Sequence, residues 1–197
     1  MGCREYGSTQ KMTILDAVVA SRGHFVYESG HHGDLWLDLD ALFVDARRVR
    51  GWAAALASRV TDCQPDLVCG PLTGGAFVAQ PLAAEIGAGF VFAERLVSET
   101  ETAQYRIPGS LRKIVHDKRV LLVDDVINAG SAIRATLVDL QGCGAKLAGI
   151  AALLTLGKAA AQITEQYSVP LFTLATLEHK MWAAEECPLC KSGEPLE

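Results

Sequence analysis

The segment 119–140 limits the possible folds of this 197-residue chain more than any other part of it. Residues 120–123 are Val and Leu, which predicts a central strand buried on both faces. Asp124 and Asp125 follow, and the small-residue turn 128–131 then leads into a helical pattern. A strand that ends in acids before such a turn is typical of a sugar-phosphate site, because the free N–H groups and the dipole of the helix N-terminus favour an anion.

The acid pair has two interpretations. Asp124 and Asp125 can accept hydrogen bonds from ribose hydroxyls or lie near a Mg²⁺ ion. Alternatively, the two acids only end a strand and cap a helix. The order of features disfavours this second interpretation, because an apolar strand, the acids, two apolar residues and Asn-Ala-Gly-Ser-Ala follow one another without a gap.

Two further loops follow predicted strands. A strand at 66–70 precedes the Gly-rich turn 71–75 and a helix at 76–86, a geometry that again offers backbone N–H groups to an anion. A third parallel strand at 90–93 precedes a stretch without clean periodicity, and long loops in compact domains are usually functional or mobile. The alternation of strands and helices predicts an α/β fold with an open, mainly parallel sheet flanked by helices. In such sheets ligands bind at the carboxyl ends of strands, where the loops 71–75, 94–113 and 124–132 would meet.

The N-terminal part predicts a small hairpin beside this sheet. We expect a helix that Ser8 or Thr9 caps and that ends near Ala20, followed by strands at 25–29 and 35–39. His31 and His32 fall in the turn between these strands, where solvated histidines are more common than functional ones. A long amphipathic helix is expected to start at Asp45 and end near Thr61, with Val49, Trp52, Ala53, Leu56 and Val60 turned inward.

The composition excludes several classes of protein. A chain of this length with 50% hydrophobic residues suits one well-cored domain, and a net charge of -5 disfavours nucleic acid as a partner. No apolar run is long enough for a membrane span, and the N-terminus lacks the apolar core of a signal peptide, so we expect a cytoplasmic protein. Of the six cysteines only Cys187 and Cys190 are closely spaced. A single CxxC without nearby His ligands is weak support for zinc, and free thiols are the default expectation.

The pattern V-D-D-V-I-N-A-G-S-A-I-R at 123–134 resembles the phosphoribosyl-pyrophosphate (PRPP) signature of the type I phosphoribosyltransferases, and within them it is most similar to orotate phosphoribosyltransferase. Further similar segments lie at 29–39, at 70–75 and at 187–196, where C-P-L-C-x-x-G-x-P-L stands. The resemblance implies a single domain, 1–197, with the core at about 45–175. A hood would be formed by about 1–44 and the tail at about 176–197.

The resemblance also implies an activity. It predicts transfer of phosphoribose from PRPP to a nucleobase with release of pyrophosphate, favouring the conversion of orotate to orotidine 5'-monophosphate in pyrimidine biosynthesis. It implies Mg²⁺ as cofactor and a homodimer, and it assigns catalysis and metal binding to Asp124 and Asp125. PRPP binding falls to these two acids and to Leu72, Thr73, Gly74, Arg95, Asn128, Ala129, Gly130, Ser131 and Ala132. Base binding is expected from Trp36, Asn128 and Lys158.

The chain departs from the orotate pattern at several positions, which keeps other acceptors open. Gly74 stands where orotate enzymes often carry Lys, and Leu156 where they place an Arg. The resemblance places a catalytic lid in the stretch after Arg95. This stretch has Leu96, Glu99 and Glu101 in place of basic residues, although Arg106, Arg112 and Lys113 could compensate from its far end. Asn128 disfavours the 6-oxopurine enzymes, which have an Asp there. The alternatives are a phosphoribosyltransferase for another base and a non-catalytic PRPP-binding regulatory protein.

Overall fold

The structure is a computed structural model that describes residues 13–27, 29–60, 62–96 and 104–197. The strands are β1 (Val19–Val26), β2 (His32–Asp38), β3 (Leu67–Pro71), β4 (Gly89–Leu96), β5 (Gln104–Arg106), β6 (Arg119–Ile127), β7 (Lys146–Leu156), β8 (Leu171–Leu177) and β9 (Met181–Trp182). The helices are α1 (Ile14–Ala17), α2 (Ala46–Ala57), α3 (Gly74–Ile86), α4 (Gly109–Val115), α5 (Ser131–Gly142), α6 (Ala159–Tyr167) and α7 (Pro188–Lys191), with 3₁₀ turns at Asp40–Phe43 and Ala184–Glu186.

A six-stranded sheet in the order β5-β4-β3-β6-β7-β8 forms the centre of the molecule. Its neighbouring strands are parallel except for the edge strand β5, which runs antiparallel to β4. The chain proceeds from β3 to one side through α3 and β4, then returns to β6 on the other side of β3 and continues outward to β7 and β8. The order of strands therefore reverses between β3 and β6, and this position is where open α/β sheets bind ligands. The predicted fold class is confirmed.

Strand β6 is buried on both faces because its alternate residues pack into two different layers. Leu121 and Val123 belong to the cluster that includes α2 and α3. Val120 and Leu122 belong to the opposite cluster, which includes α5. All four side chains are fully buried, and each contributes on the order of 2 kcal/mol by leaving water. This double burial explains the continuous apolar run in the sequence.

A second, three-stranded antiparallel sheet has the order β1-β2-β9. The predicted hairpin is present as β1–β2, and the short strand β9 near the C-terminus adds to its edge through the pairing of His32 with Trp182. The hairpin near the start of the described residues and a strand near the C-terminus therefore belong to one sheet. The division of the chain into a hood and a core stays a prediction in its boundaries.

The predicted N-terminal helix to Ala20 is wrong for the residues that the structure describes. Helix α1 covers only Ile14–Ala17 and is capped by Thr13, whose hydroxyl accepts from the backbone N–H of Asp16. From Val19 onward the chain is strand, because it pairs with β2 over Val19–Val26. Long-range pairing has overridden a local helical pattern, and the proposed caps Ser8 and Thr9 lie outside the described residues.

Helix α2 follows the prediction closely. Asp45 caps it by accepting from the backbone N–H of Arg47, and Val49, Trp52, Ala53 and Leu56 are buried as expected. The helix ends at Ala57 rather than near Thr61, which lies outside the described residues.

The stretch that lacks periodicity contains two elements. Strand β5 pairs with the end of β4, so that β4 extends to Leu96, and helix α4 begins directly after Pro108, which serves as its cap. Residues 97–103, including Glu99 and Glu101, lie outside the described part.

The far end of this stretch is fastened to the core. Arg112, one of the residues expected to compensate for a lid poor in basic residues, instead forms an ion pair with Asp139 of α5 at 2.8 Å, which ties α4 to α5.

Among the described residues, no helix combines the length and apolar character that crossing a bilayer requires.

Candidate active site

The acid pair lies within the strand rather than after its end, because β6 continues to Ile127. Asp124 pairs with Ala152 of β7 and is 7% exposed. Burial raises the pKa of Asp124 well above its ordinary value, and the negative charge of Asp125 raises it further. Burial also raises the pKa of Asp125. The protein thus holds two carboxyl groups where ionisation is unfavourable without a cation or donor beside them.

The β3–α3 turn lies directly against these acids. A Cβ atom on Gly74 would lie 2.3 Å from Oδ2 of Asp125, and one on Gly75 would lie 2.8 Å from Oδ1 of Asp124. A side chain at either glycine would therefore crowd the acid pair. The peptide bond between Leu72 and Thr73 in this turn is cis. The two strand–turn–helix units meet where the strand order reverses.

The β6–α5 turn places polar groups at a helix N-terminus. Gly130 precedes α5 with φ of 77°, a left-handed conformation that favours glycine, and a Cβ atom there would lie 2.5 Å from Cδ1 of Ile163. Helix α5 has no side-chain cap hydrogen bond, so its first N–H groups are available to an anion. Oδ1 of Asn128 is buried and has no hydrogen-bond partner within the described chain. Such an acceptor indicates a position that a bound molecule completes.

A cleft of about 580 Å³ opens beside this turn. Seven of the predicted site residues line it: Trp36, Asp124, Asn128, Ala129, Gly130, Ser131 and Ala132. Trp36 comes from β2 and is 47% exposed, so the antiparallel sheet supplies one wall and the parallel sheet the other. The cleft joins the predicted phosphate turn to the predicted base side, and the individual roles of these residues stay predictions.

Six predicted residues do not line this cleft, and one of them is Asp125, which follows Asp124 in β6. Leu72, Thr73 and Gly74 belong to the neighbouring β3–α3 turn, which reaches the acid pair through the Gly74–Asp125 contact. Arg95 is exposed near the end of β4, and Lys158 is exposed at the N-terminus of α6. The expectation that Lys158 binds the base has no support from this cleft.

The sequence did not indicate two residues that line the cleft, or a histidine that lies beside one of them, as site residues. Tyr27 and Asp40 line the cleft, and the Tyr27 hydroxyl donates to the carbonyl of Leu35 at 2.5 Å. Both ring nitrogens of His179 are buried without a hydrogen-bond partner in the described part of the chain, and burial lowers the pKa of its imidazole. Its ring lies 6.1 Å from that of Tyr27. No local motif marks Tyr27 or His179, since folding alone brings them together.

The acid pair fits a divalent cation of the Mg²⁺ type by the chemistry of its donors. Mg²⁺ prefers carboxylate oxygens and usually binds through one or two of them together with substrate phosphates. The raised pKa values of Asp124 and Asp125 follow from burial without a compensating charge, which a cation would supply. The residues that would hold the ion are therefore Asp124 and Asp125.

The family model of the phosphoribosyl transferase domain matches residues 41–187, and the chain belongs to this family. It is similar to the orotate phosphoribosyltransferase of Thermus thermophilus, with 30% identity over 89% of this chain and 91% of the relative. It is also similar to the orotate phosphoribosyltransferase of Caldanaerobacter subterraneus subsp. tengcongensis, with 29% identity over 90% of this chain and 88% of the relative.

Two solved structures show the same fold. The orotate phosphoribosyltransferase from Aeropyrum pernix has a TM-score of 0.62 at 24% identity, covering 82% of this chain and 88% of that one. The adenine phosphoribosyltransferase from Rhodothermus marinus has a TM-score of 0.64 at 21% identity, covering 83% and 96%. Since enzymes for two different bases match equally well, the fold does not identify the acceptor.

Proposed function

We propose that this protein transfers phosphoribose from PRPP to orotate, forming orotidine 5'-monophosphate and pyrophosphate. The observation that carries the donor half of this proposal is the buried acid pair between two glycine-rich strand–turn–helix units. One unit offers the N-terminus of α5 to a 5-phosphate and the other lies against the acids, where a pyrophosphate group would leave. The orotate half rests on the named relatives, which are orotate enzymes at 29–30% identity.

The residues act mainly through position and charge. Asp124 and Asp125 accept hydrogen bonds from the ribose hydroxyls and stabilise the positive charge that develops on the sugar as the bond to pyrophosphate lengthens. Backbone N–H groups at 129–132 hold the 5-phosphate in place. A Mg²⁺ ion bound to the acid pair would neutralise charge on pyrophosphate. Exclusion of water is assigned to the lid, whose segment 97–103 lies outside the described residues.

A different base is the second candidate, and the charge of the cleft favours it. None of the described residues that line the cleft is Lys or Arg, whereas Asp38, Asp40 and Asp124 are acidic. Orotate carries a carboxylate, and leaving a buried anion without a partner costs roughly 2–5 kcal/mol. Leu156 lines the cleft where orotate enzymes place an Arg. A neutral acceptor would avoid this cost.

The activity test follows pyrophosphate release from PRPP and Mg²⁺ in the presence of orotate, uracil, xanthine, hypoxanthine or adenine. Turnover with orotate alone would support the leading proposal, and turnover with another base would support the second. PRPP binding without release for any base would contradict both and favour the regulatory alternative. Asp125→Asn is the matched loss-of-function variant and Asp117→Asn its control, because the Asp117 side chain is 68% exposed on the surface.

The homodimer stays a proposal based on resemblance. Sedimentation or light scattering of the full chain measures it directly. A monomer that turns over substrate would show that the reaction does not require a second subunit.

A further inference from the structure

Four side chains from distant parts of the sequence converge beneath the antiparallel sheet. They are His24 of β1, His32 of β2, Cys187 and Cys190 of the C-terminal tail, and their ligand atoms all lie within 4.8 Å of one another. We call them the Cys2His2 cluster. His24, His32 and Cys187 are buried, while Cys190 is exposed. None of the four lines the cleft.

The distances within the cluster are close to those around a tetrahedral zinc ion, and two of them are about 0.4 Å shorter. Bonds of about 2.05 Å to nitrogen and about 2.3 Å to sulfur place ligand atoms about 3.3 Å (N–N) and about 3.6 Å (N–S) apart. Nε2 of His24 lies 2.9 Å from Nδ1 of His32, and it lies 3.4 Å and 3.6 Å from the two sulfurs. Sγ of Cys190 lies 3.2 Å from Nδ1 of His32. One ion at the centre could contact all four atoms.

A hydrogen bond outside the cluster places a proton on Nδ1 of His24. Its Nδ1 lies 2.8 Å from the carbonyl oxygen of Glu194, and since a carbonyl only accepts, Nδ1 carries the proton. Nε2 faces the cluster and is the ring nitrogen that would bind a metal. This arrangement, in which the second ring nitrogen donates to a carbonyl, is the usual support of a metal-binding histidine.

We propose that the Cys2His2 cluster binds one Zn²⁺ ion as a structural site. Two thiolates and two imidazoles favour zinc over oxygen-seeking cations such as Mg²⁺. Four protein ligands complete a tetrahedron and leave no open position for a substrate, which is the pattern of structural rather than catalytic zinc. The chemistry differs from that of the acid pair, where only carboxylates are present.

The ion would fasten the C-terminal tail to the hairpin. Apart from the cluster, the tail is held by the pairing of β9 with β2, by the N–H of Lys180 donating to Asp34, and by the N–H of Glu197 donating to the carbonyl of His24. The same strand β2 that contributes His32 carries Trp36 into the cleft wall. Because a ligand that binds only the folded state stabilises it, zinc would strengthen this wall.

The first test measures metal in the untagged full-length chain, purified without chelator and supplied with Zn²⁺. About one tightly bound zinc per chain is expected by elemental analysis. Replacement by Co²⁺ should give a thiolate-to-cobalt charge-transfer band and the intense visible bands of a tetrahedral site. Failure to retain zinc together with absence of these cobalt bands would overturn the proposal, as would a Cys187–Cys190 disulfide in freshly purified protein.

The second test uses variants. Cys190→Ser should weaken zinc binding by at least ~100-fold, since even loss of an outer hydrogen bond costs 10–100-fold, and Cys187→Ser should do the same. Cys143→Ser is the control and should keep its zinc. Cys143 belongs to the core cluster that includes α5 and not to the Cys2His2 cluster. If Cys187→Ser does not fold, Cys190→Ser still decides the matter, because its side chain is exposed. An unchanged zinc affinity of Cys190→Ser, measured by competition with a chelator, would contradict the assignment.

Removal of zinc by a chelator such as dipicolinate tests whether the ion stabilises the folded protein. It should lower the Tm of the wild-type chain and of Cys143→Ser, and leave the Tm of Cys190→Ser unchanged. An equal shift in all three proteins would mean that the chelator acts elsewhere and would overturn the structural role.

Discussion

Two strand–turn–helix units, β3–α3 and β6–α5, lie on either side of the point where the strand order reverses. They have the same order of elements, but they contribute different kinds of residue to the site. The β6–α5 unit carries the polar groups: two acids, the Asn128 amide oxygen, which has no hydrogen-bond partner among the described residues, and a helix N-terminus without a side-chain cap there. The β3–α3 unit contributes glycines at the positions where it touches the acids. One unit supplies the chemistry and the other supplies the space for it. Substitutions in the β3–α3 unit should therefore mainly lower stability, and substitutions in the β6–α5 unit should mainly lower the affinity for PRPP.

The largest effect is expected from Gly70→Ala in β3. A Cβ atom there would lie 2.4 Å from the backbone carbonyl carbon of Gly75, and backbone cannot move aside as a flexible side chain does. We expect a loss of about 3 kcal/mol in the free energy of unfolding, measured by urea denaturation. Gly51→Ala is the matched control, since nothing lies within 4 Å of its Cβ position in α2, and it should stabilise by roughly 0.5–1 kcal/mol. Equal stability of the two variants would contradict the crowding of the β3–α3 unit.

The β6–α5 unit should respond in ligand binding instead. Asp125→Asn removes a charged acceptor, worth roughly 1.5–3 kcal/mol in a hydrogen bond, so PRPP affinity should fall by about 10- to 100-fold in calorimetry. The fold should remain intact by circular dichroism, because the amide has the same shape. Unchanged PRPP affinity would refute the placement of the donor, and Asp117→Asn should bind like wild type.

The buried Asp124 of the β6–α5 unit should also make the stability of the protein depend on pH. Burial in the folded state raises the pKa of Asp124 above its unfolded value of about 3.9, so the folded state holds the proton more tightly. The contribution of this group to stability without ligand is therefore fully present below about pH 4 and is lost as the pH rises through the folded pKa, at about 1.4 kcal/mol for each pH unit between the two pKa values. Asp124→Asn should flatten this fall in Tm measured against pH, and Mg²⁺ with PRPP should flatten it in the wild type. A variant with the same pH profile as the wild type would remove Asp124 as the cause.

The smallest effect is expected from Gly74→Ala, which connects the two units. Its Cβ would displace Oδ2 of Asp125, the end of a short side chain that can rotate. Stability should fall by about 1 kcal/mol, while PRPP affinity falls by roughly 10-fold through the misplaced carboxylate. The double variant Gly74→Ala/Asp125→Asn should bind PRPP no more weakly than Asp125→Asn alone. Additive losses would show that Gly74 acts independently of the acid.

The β6–α5 unit can be predicted well from the sequence because its signals are local. Apolar strand, acids, glycine turn and helix follow one another within 119–140, and burial of β6 on two faces requires only the run of Val and Leu. The same holds for α2, whose cap and inward face can be derived from periodicity. These features depend on neighbours along the chain.

Contacts between distant residues are beyond the reach of local patterns. The Gly74–Asp125 approach depends on how α3 packs against β6. The sequence alone places Gly74 in a Gly-rich turn where orotate enzymes often carry Lys, but it does not indicate the contact with Asp125. His24 carries no signal of its own, since its cysteine partner Cys187 is separated from it by 163 positions. The expectation of a solvated turn at His32 is wrong, because the strand β2 begins there and buries its ring. A CxxC motif gains its meaning only when folding brings the histidines to it.

The ion pair between Arg112 and Asp139 has a mechanical consequence. Asp139 also accepts from the backbone N–H of Ile107 at 2.7 Å, so the segment 107–112 is held to α5 by two contacts with one residue. Asp139 and Ser131 are eight residues apart on that helix, about 12 Å along its axis. A displacement of β5 would therefore be transmitted along α5 to the predicted phosphate turn at 128–131.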